Sequence, residues 1–123
     1  MTDEQEWYAE LLELQLQANP GIWAGLRGRG ATDQTQLRLA FAYLSPGQTE
    51  ADRLVAFLQA ETDYEVKTHS QREGRVVRRE WFVVGVTQPA VLSRDTVDAW
   101  VEWMIAAGAA HGPCAFDGWA GQF

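Results

Sequence analysis

The sequence has one cysteine, two histidines and four prolines among its 123 residues. A single cysteine, Cys114, excludes a disulfide within the chain and is typical of a reducing compartment. No stretch approaches the roughly 20 consecutive apolar residues that a membrane-spanning helix needs, and the N-terminal MTDEQEWY is acidic where a secretory signal is basic. We therefore expect a cytoplasmic protein without a membrane partner.

Basic residues are also scarce, since 10 Lys and Arg stand against 17 Asp and Glu and give a formal charge of −7. Binding to phosphate depends mainly on Lys and Arg, so this balance argues against direct nucleic-acid binding. A basic protein partner suits the charge better. The alternative is that the acidity only maintains solubility.

The hydrophobic content of 46% is sufficient for one buried core in a chain of this length. We expect a single globular unit, made of an N-terminal helix and loop over residues 1–32 and a domain over residues 33–123. A capping-box pattern at Thr2–Gln5 and apolar residues at helical spacing predict a first helix to about Ala18. Asn19-Pro20-Gly21 then predicts its end, with a loop to Thr32.

The remaining chain alternates between strand and helix periodicities. It predicts strands at Gln36–Leu44, Tyr64–Ser70, Val76–Val86 and Cys114–Phe123, and helices at Glu50–Ala60, after a Thr49 cap, and from a Ser93 cap to Gly108. Gln71–Arg75 is predicted to be a polar hairpin connection. The order β-α-β-β-α-β predicts an α+β, ferredoxin-like sandwich, in which two helices cover a four-stranded antiparallel sheet and the first and third strands are central.

One face of this sheet is predicted to lie away from the helices. If the first strand turns Leu39 and Phe41 to the core, and the third turns Phe82, Val84 and Val86 there, the opposite face carries Arg38, Ala40, Ala42, Lys67, His69, Arg79, Trp81, Val83, Gly85, Asp117 and Trp119. Small side chains then form a shallow floor beside two tryptophans, a residue type enriched in binding hot spots. The candidate partner-binding residues are Trp81, Asp117, Gly118, Trp119, Arg38, His69 and Arg79.

Three interpretations of that face are open: it docks a protein, it self-associates as a weak homodimer, or the first helix or the loop after it covers it. Stacking of RNA bases is disfavoured, because Ala40 and Ala42 stand where aromatic rings would be needed. Asp117-Gly118 also has a structural interpretation, since a glycine within a strand often marks a β-bulge.

Catalytic patterns are not evident. A nucleophile needs a base nearby and a metal site needs three or four suitably spaced ligands, and neither pattern is evident in the sequence. Cys114 is predicted to be a buried, inert thiol. We therefore expect no catalytic residue, no metal and no cofactor. The alternative is a small-molecule or enzymatic domain whose pocket, beneath the first helix, is lined by His69, Trp81 and Asp117.

Two stretches resemble the ribonuclease E inhibitor B family, the bacterial regulators of ribonuclease activity. Phe116-Asp117-Gly118-Trp119 is similar to the family's terminal aromatic-Asp-Gly-Trp, and LRLAFAYLSPGQTEADRLVAFLQAETDYEV is similar to its strand, turn, acidic helix start and second strand. The resemblance covers roughly Leu37 to Phe123. It implies a ferredoxin-like fold and noncatalytic binding to the endoribonuclease that organises RNA decay, with reduced activity of that enzyme as the outcome.

Overall fold

A computed structural model describes the backbone of residues 3–72 and 79–123, and side chains from residue 6 onward within those ranges. Its elements are, in chain order, α1 (Asp3–Gly28), β1 (Gln36–Ser45), α2 (Gln48–Glu61), β2 (Glu65–Arg72), β3 (Arg79–Val86), β4 (Ala90–Val91), α3 (Arg94–His111) and β5 (Ala115–Gln122). None of the helices in these ranges combines the length and the apolar character needed to cross a membrane.

The strands form one antiparallel sheet. β3 pairs with β1 on one side and β2 on the other, and β5 pairs with the free side of β1. The short β4 also pairs with the start of β1, and Thr87, just before it, bonds to Leu39 through both its backbone and its hydroxyl. The predicted α+β sandwich is confirmed, with β1 and β3 central and β5 at an edge, but the described sheet has five strands and not four, because the short β4 joins it.

The core lies between the helices and one face of the sheet. Leu39, Phe41 and Tyr43 alternate along β1 as buried residues, as the sequence predicts. They pack with buried side chains of α2 and α3, among them Leu54, Leu58, Val101, Met104 and Ile105. The Tyr43 hydroxyl donates to the Met104 carbonyl at 2.6 Å, so the one polar atom of that ring is satisfied inside the core.

Helix α1 is longer than predicted, because it continues through Pro20 to Gly28. The predicted end near Ala18 and the loop from residue 21 are therefore wrong. A proline inside a helix removes one backbone hydrogen bond, but tertiary contacts hold this helix on both sides of it. Asn19 is buried and bonded to α3 and β5, and Leu26 is buried in the core. Packing here overrides local propensity.

The same contacts place α1 in the layer that contains α3. Asn19 Nδ2 donates to Asp98 Oδ1 of α3 at 2.8 Å, and Trp119 Nε1 of β5 donates to Asn19 Oδ1 at 2.8 Å. Trp119 is paired with Phe41 and therefore shares the core face of the sheet. The interpretation that the first helix or the loop after it covers the opposite face is wrong.

Of the helix caps predicted at Thr49 and Ser93, the one at Ser93 is present. Ser93 caps α3, and its side chain accepts from the Thr96 amide, as predicted. Helix α2 begins after Gly47 without a side-chain cap, so the Thr49 cap is wrong. The predicted capping box at Thr2–Gln5, most of the Gln71–Arg75 connection and the start of the third strand at Val76 lie outside the described residues or side chains.

Candidate protein-binding face

The candidate site is the sheet face opposite the helices, here called the open sheet face. Residues paired directly across an antiparallel sheet lie on the same side of it. Ala40 pairs with Val86, Ala42 with Val84 and Leu44 with Phe82, which fixes the centre of the face. Its members on the four long strands are Gln36, Arg38, Ala40, Ala42, Leu44, Glu65, Lys67, His69, Gln71, Glu80, Phe82, Val84, Val86, Ala115, Gly118, Ala120 and Gln122.

The phase of β3 is opposite to the one predicted. Tyr43 pairs with Val83, which is fully buried, and Phe41 pairs with Gly85. A Cβ atom at Gly85 would lie 2.6 Å from Phe41 Cζ, so glycine is required where that ring crosses the strand. The prediction that Phe82, Val84 and Val86 reach the core is wrong, and these three side chains belong to the open sheet face.

Two candidate binding residues change sides with this phase. Trp81 pairs with Ser45, a buried residue, and lies half-buried on the helix side. Arg79 shares that side at the strand end, where its Nη1 donates to Ser70 Oγ at 3.1 Å. Their placement on the open sheet face is wrong because β3 is apolar in both phases, so alternation does not distinguish its two faces.

Trp119 also faces the core and not the open sheet face. Its side chain is 7% exposed, and its ring packs edge-on against Trp100 with centroids 6.5 Å apart. The register of β5 on β1 shifts between Ala42 and Tyr43, which face Gly118 and Phe116. This β-bulge inserts one residue and resets the alternation, so Phe116 and Trp119, three residues apart, are both buried.

Asp117 and Gly118 form the bulge itself, which bears out their structural interpretation. Gly118 has a φ of 131°, a backbone conformation that residues other than glycine rarely adopt. Asp117 is exposed and lies at the edge of the sheet beside the open face. Of the candidate binding residues, the structure therefore brings Arg38, His69, Asp117 and Gly118 to this face or its rim, and separates Trp81, Trp119 and Arg79 from it.

Charged groups border the apolar centre. Arg38 Nη2 lies 2.6 Å from Glu65 Oε2, and Arg38 Nε donates to the Thr87 carbonyl at 3.0 Å. The guanidinium is thus held at one end of the face. Towards the other end, the His69 ring lies 6.2 Å from the Phe82 ring. The face combines an apolar middle with a polar rim, which is the usual anatomy of a protein-binding patch.

Cys114 and His111 both contact neighbouring residues of the fold. Within residues 3–72 and 79–123, no group of three or more His, Cys, Asp or Glu side chains is arranged to hold a metal ion. His111 stacks on Phe57 with ring centroids 3.6 Å apart. Cys114 is 1% exposed and its Sγ donates to the Glu50 carbonyl at 3.6 Å. Burial raises the pKa of the Cys114 thiol, which disfavours the thiolate needed for nucleophilic attack. Burial also raises the pKa of the Tyr43 phenol.

We expect the Cys114 thiol to be protected from alkylation while the protein is folded. Its burial and raised pKa predict labelling by iodoacetamide at pH 8 at least about 100-fold slower than in denaturant, which corresponds to an opening free energy of about 3 kcal/mol. Intact-mass spectrometry against time measures both rates. Labelling of the folded protein at the rate of a free thiol would show that Cys114 is accessible.

No protein-family model matches the chain, and no curated protein matches it. The resemblance to the ribonuclease E inhibitor B family therefore stays a prediction from the sequence.

Proposed function

We propose that this protein is a noncatalytic regulator that binds another protein through the open sheet face. A ribonuclease E-type endoribonuclease is the first candidate partner, because the resemblance of Leu37–Phe123 to the inhibitor family points to it. Binding would lower the activity of that enzyme by occupying its surface, without chemistry by the regulator.

The observation that carries the proposal is the segregation of the described helices to one side of the sheet. α1, α2 and α3 all pack on the face that contains Phe41 and Trp119. On the other face Phe82, Val84 and Val86 are only half-buried, and Leu44 is 45% exposed. A contiguous apolar surface of this kind on a folded domain favours an interaction site.

The charge distribution favours a basic partner. The chain carries a net charge of −7, and a negative field of that size speeds the encounter with a positively charged protein. On the face itself, Arg38 and Lys67 are offset by Glu65 and Glu80, so close contact there depends mainly on shape and apolar burial.

The alternative of a pocket lined by His69, Trp81 and Asp117 loses its geometric basis. His69 pairs with Phe82, whereas Trp81 pairs with Ser70, so the pleat places His69 and Trp81 on opposite faces. Helix α1, which was expected to roof the pocket, also packs on the other side.

Replacing Ala42 with arginine tests the docking surface. Ala42 lies in the middle strand of the face between Val84 and Gly118, where a long charged side chain would cover the apolar floor. We expect the wild-type protein to inhibit cleavage of a single-stranded RNA oligonucleotide by the ribonuclease E-type enzyme of the same organism. Ala42→Arg should raise the concentration needed for half inhibition at least tenfold, which is about 1.4 kcal/mol.

The matched control is Ala24→Arg, which makes the same substitution at an exposed position of α1 on the helix side. It should inhibit like the wild-type protein, and both variants should keep the wild-type melting temperature within a few degrees. Equal inhibition by both variants would exclude the open sheet face. Absence of inhibition by the wild-type protein would exclude this enzyme as the partner.

A further inference from the structure

A second candidate site lies away from the open sheet face, at the edge of the helix layer. A cavity of about 280 Å³ opens between the start of β1, the connection from β3 to β4, and α3. Most of its wall is apolar or aromatic, supplied by Leu39, Tyr64, Pro89, Leu92, Val97 and Trp100. Its volume is close to the lower end of the range of small-ligand pockets, about 300 Å³.

The aromatic wall of this cavity is held in place by neighbouring groups. Trp100 Nε1 donates to the Tyr64 hydroxyl at 3.0 Å. The Phe41 ring lies behind both, with centroids 5.8 Å from Tyr64 and 6.1 Å from Trp100. Because the indole N–H already has an acceptor, Trp100 presents mainly ring surface to a ligand.

The mouth of the cavity is acidic. Asp63 lines it together with Tyr64, and both also border an adjoining shallow hollow that contains Glu61. Burial raises the pKa of Tyr64 by more than the hydrogen bond from Trp100 lowers it, and the nearby Asp63 carboxylate raises it further, so the phenol stays neutral. Among the described residues that line the two hollows there is no Lys, Arg or His, so no basic side chain of the lining stands beside Asp63 or Glu61.

We infer that the Tyr64–Trp100 cleft binds a small organic cation with an apolar or aromatic body, its ammonium group placed at Asp63 and its body against the Trp100 ring. An apolar body gains by leaving water for this wall, whereas a buried ammonium needs a carboxylate or an aromatic face to offset its desolvation. The cleft supplies an apolar, aromatic wall and a carboxylate within one small cavity. An anion of the same shape would be repelled by the carboxylates of Asp63 and Glu61. This inference does not depend on the proposed regulatory function.

The probe pair is 2-phenylethylammonium and 3-phenylpropionate, which share a phenyl body and differ in the sign of the charged end. Each is titrated into the full 15N-labelled chain, and the Trp100 indole N–H signal, assigned with Trp100→Phe, is followed by NMR. We expect saturable shifts of that signal with the cation and binding at least tenfold weaker with the anion. Equal binding of the two probes, or no shift with the cation up to its solubility limit, would overturn the proposal.

Two variants and a control locate the site. Asp63→Asn should reduce the preference for the cation at least fivefold, and Ala90→Trp, at a residue that lines the cavity, should abolish the shifts by filling it. Glu10→Gln removes the same charge from an exposed position of α1 and should leave both probes unaffected. Cation binding that survives Asp63→Asn and Ala90→Trp unchanged would place the probe elsewhere and contradict the inference.

Discussion

Replacing Trp119 with alanine should destabilise the protein by about 3–5 kcal/mol, the range for a large aromatic removed from a core. The ring is buried between β5 and the helices, and its Nε1 donates to Asn19 Oδ1. The alanine variant therefore leaves both a cavity and a buried amide oxygen without its donor. Thermal unfolding followed by circular dichroism should show a midpoint lower by on the order of 10–20 °C.

Two further variants separate the contributions of this residue. Trp119→Phe keeps a six-membered aromatic ring but loses the pyrrole part of the indole with its N–H, so it should cost about 1–3 kcal/mol, less than the alanine variant. Trp103→Ala removes a tryptophan that is 41% exposed and should cost about 1 kcal/mol or less. If Trp119→Ala left the midpoint unchanged while weakening partner capture, the tryptophan would be an interface residue after all.

The second large effect is expected at Val83. Its side chain is fully buried and pairs with Tyr43 on the core face. Val83→Asp places a carboxylate in the core without a partner, which should cost about 4 kcal/mol or more and eliminate a cooperative melting transition. The measurement is far-UV circular dichroism against temperature, with urea unfolding wherever a folded baseline remains.

The neighbouring residue provides the control for this substitution. Val84 is half-buried on the open sheet face and pairs with Ala42, so the carboxylate of Val84→Asp can reach water. That variant should cost about 1 kcal/mol or less and melt cooperatively. The reverse order, with Val84→Asp unfolded and Val83→Asp folded, would restore the strand phase predicted from the sequence and would disprove the open sheet face as described.

Val84→Asp and Trp119→Ala also bear on function. Because Val84→Asp should keep the fold, a loss of ribonuclease inhibition with a normal melting curve would result from the change to the open sheet face alone. Trp119→Ala is different, since its effect on any partner would be indirect, through lost stability. The segment Phe116–Trp119 therefore has a structural role, because Trp119 connects β5 to α1 through its hydrogen bond to Asn19. Within this segment only Asp117 is exposed, at the rim of the open sheet face.

Much of the fold follows from local patterns. The alternation of Leu39, Phe41 and Tyr43 predicts the central strand and its buried face, because polar or small residues separate them. Ser93 predicts the start of α3 because its hydroxyl can satisfy a free amide of the first turn. The order of strands and helices then leaves few ways to cover one face of an antiparallel sheet.

The order of the elements, the central place of β1 and the burial of its apolar face follow from the amino-acid sequence. The phase of β3 depends on tertiary contacts, because apolar residues occupy both of its faces and the Phe41 ring needs the space at Gly85. Tertiary contacts also determine the bulge at Gly118, which turns Trp119 inward, and the continuation of α1 through Pro20, which depends on the bonds of Asn19 to Asp98 and Trp119. These outcomes depend on contacts between residues distant in the chain, and periodicity within one segment carries no information about them.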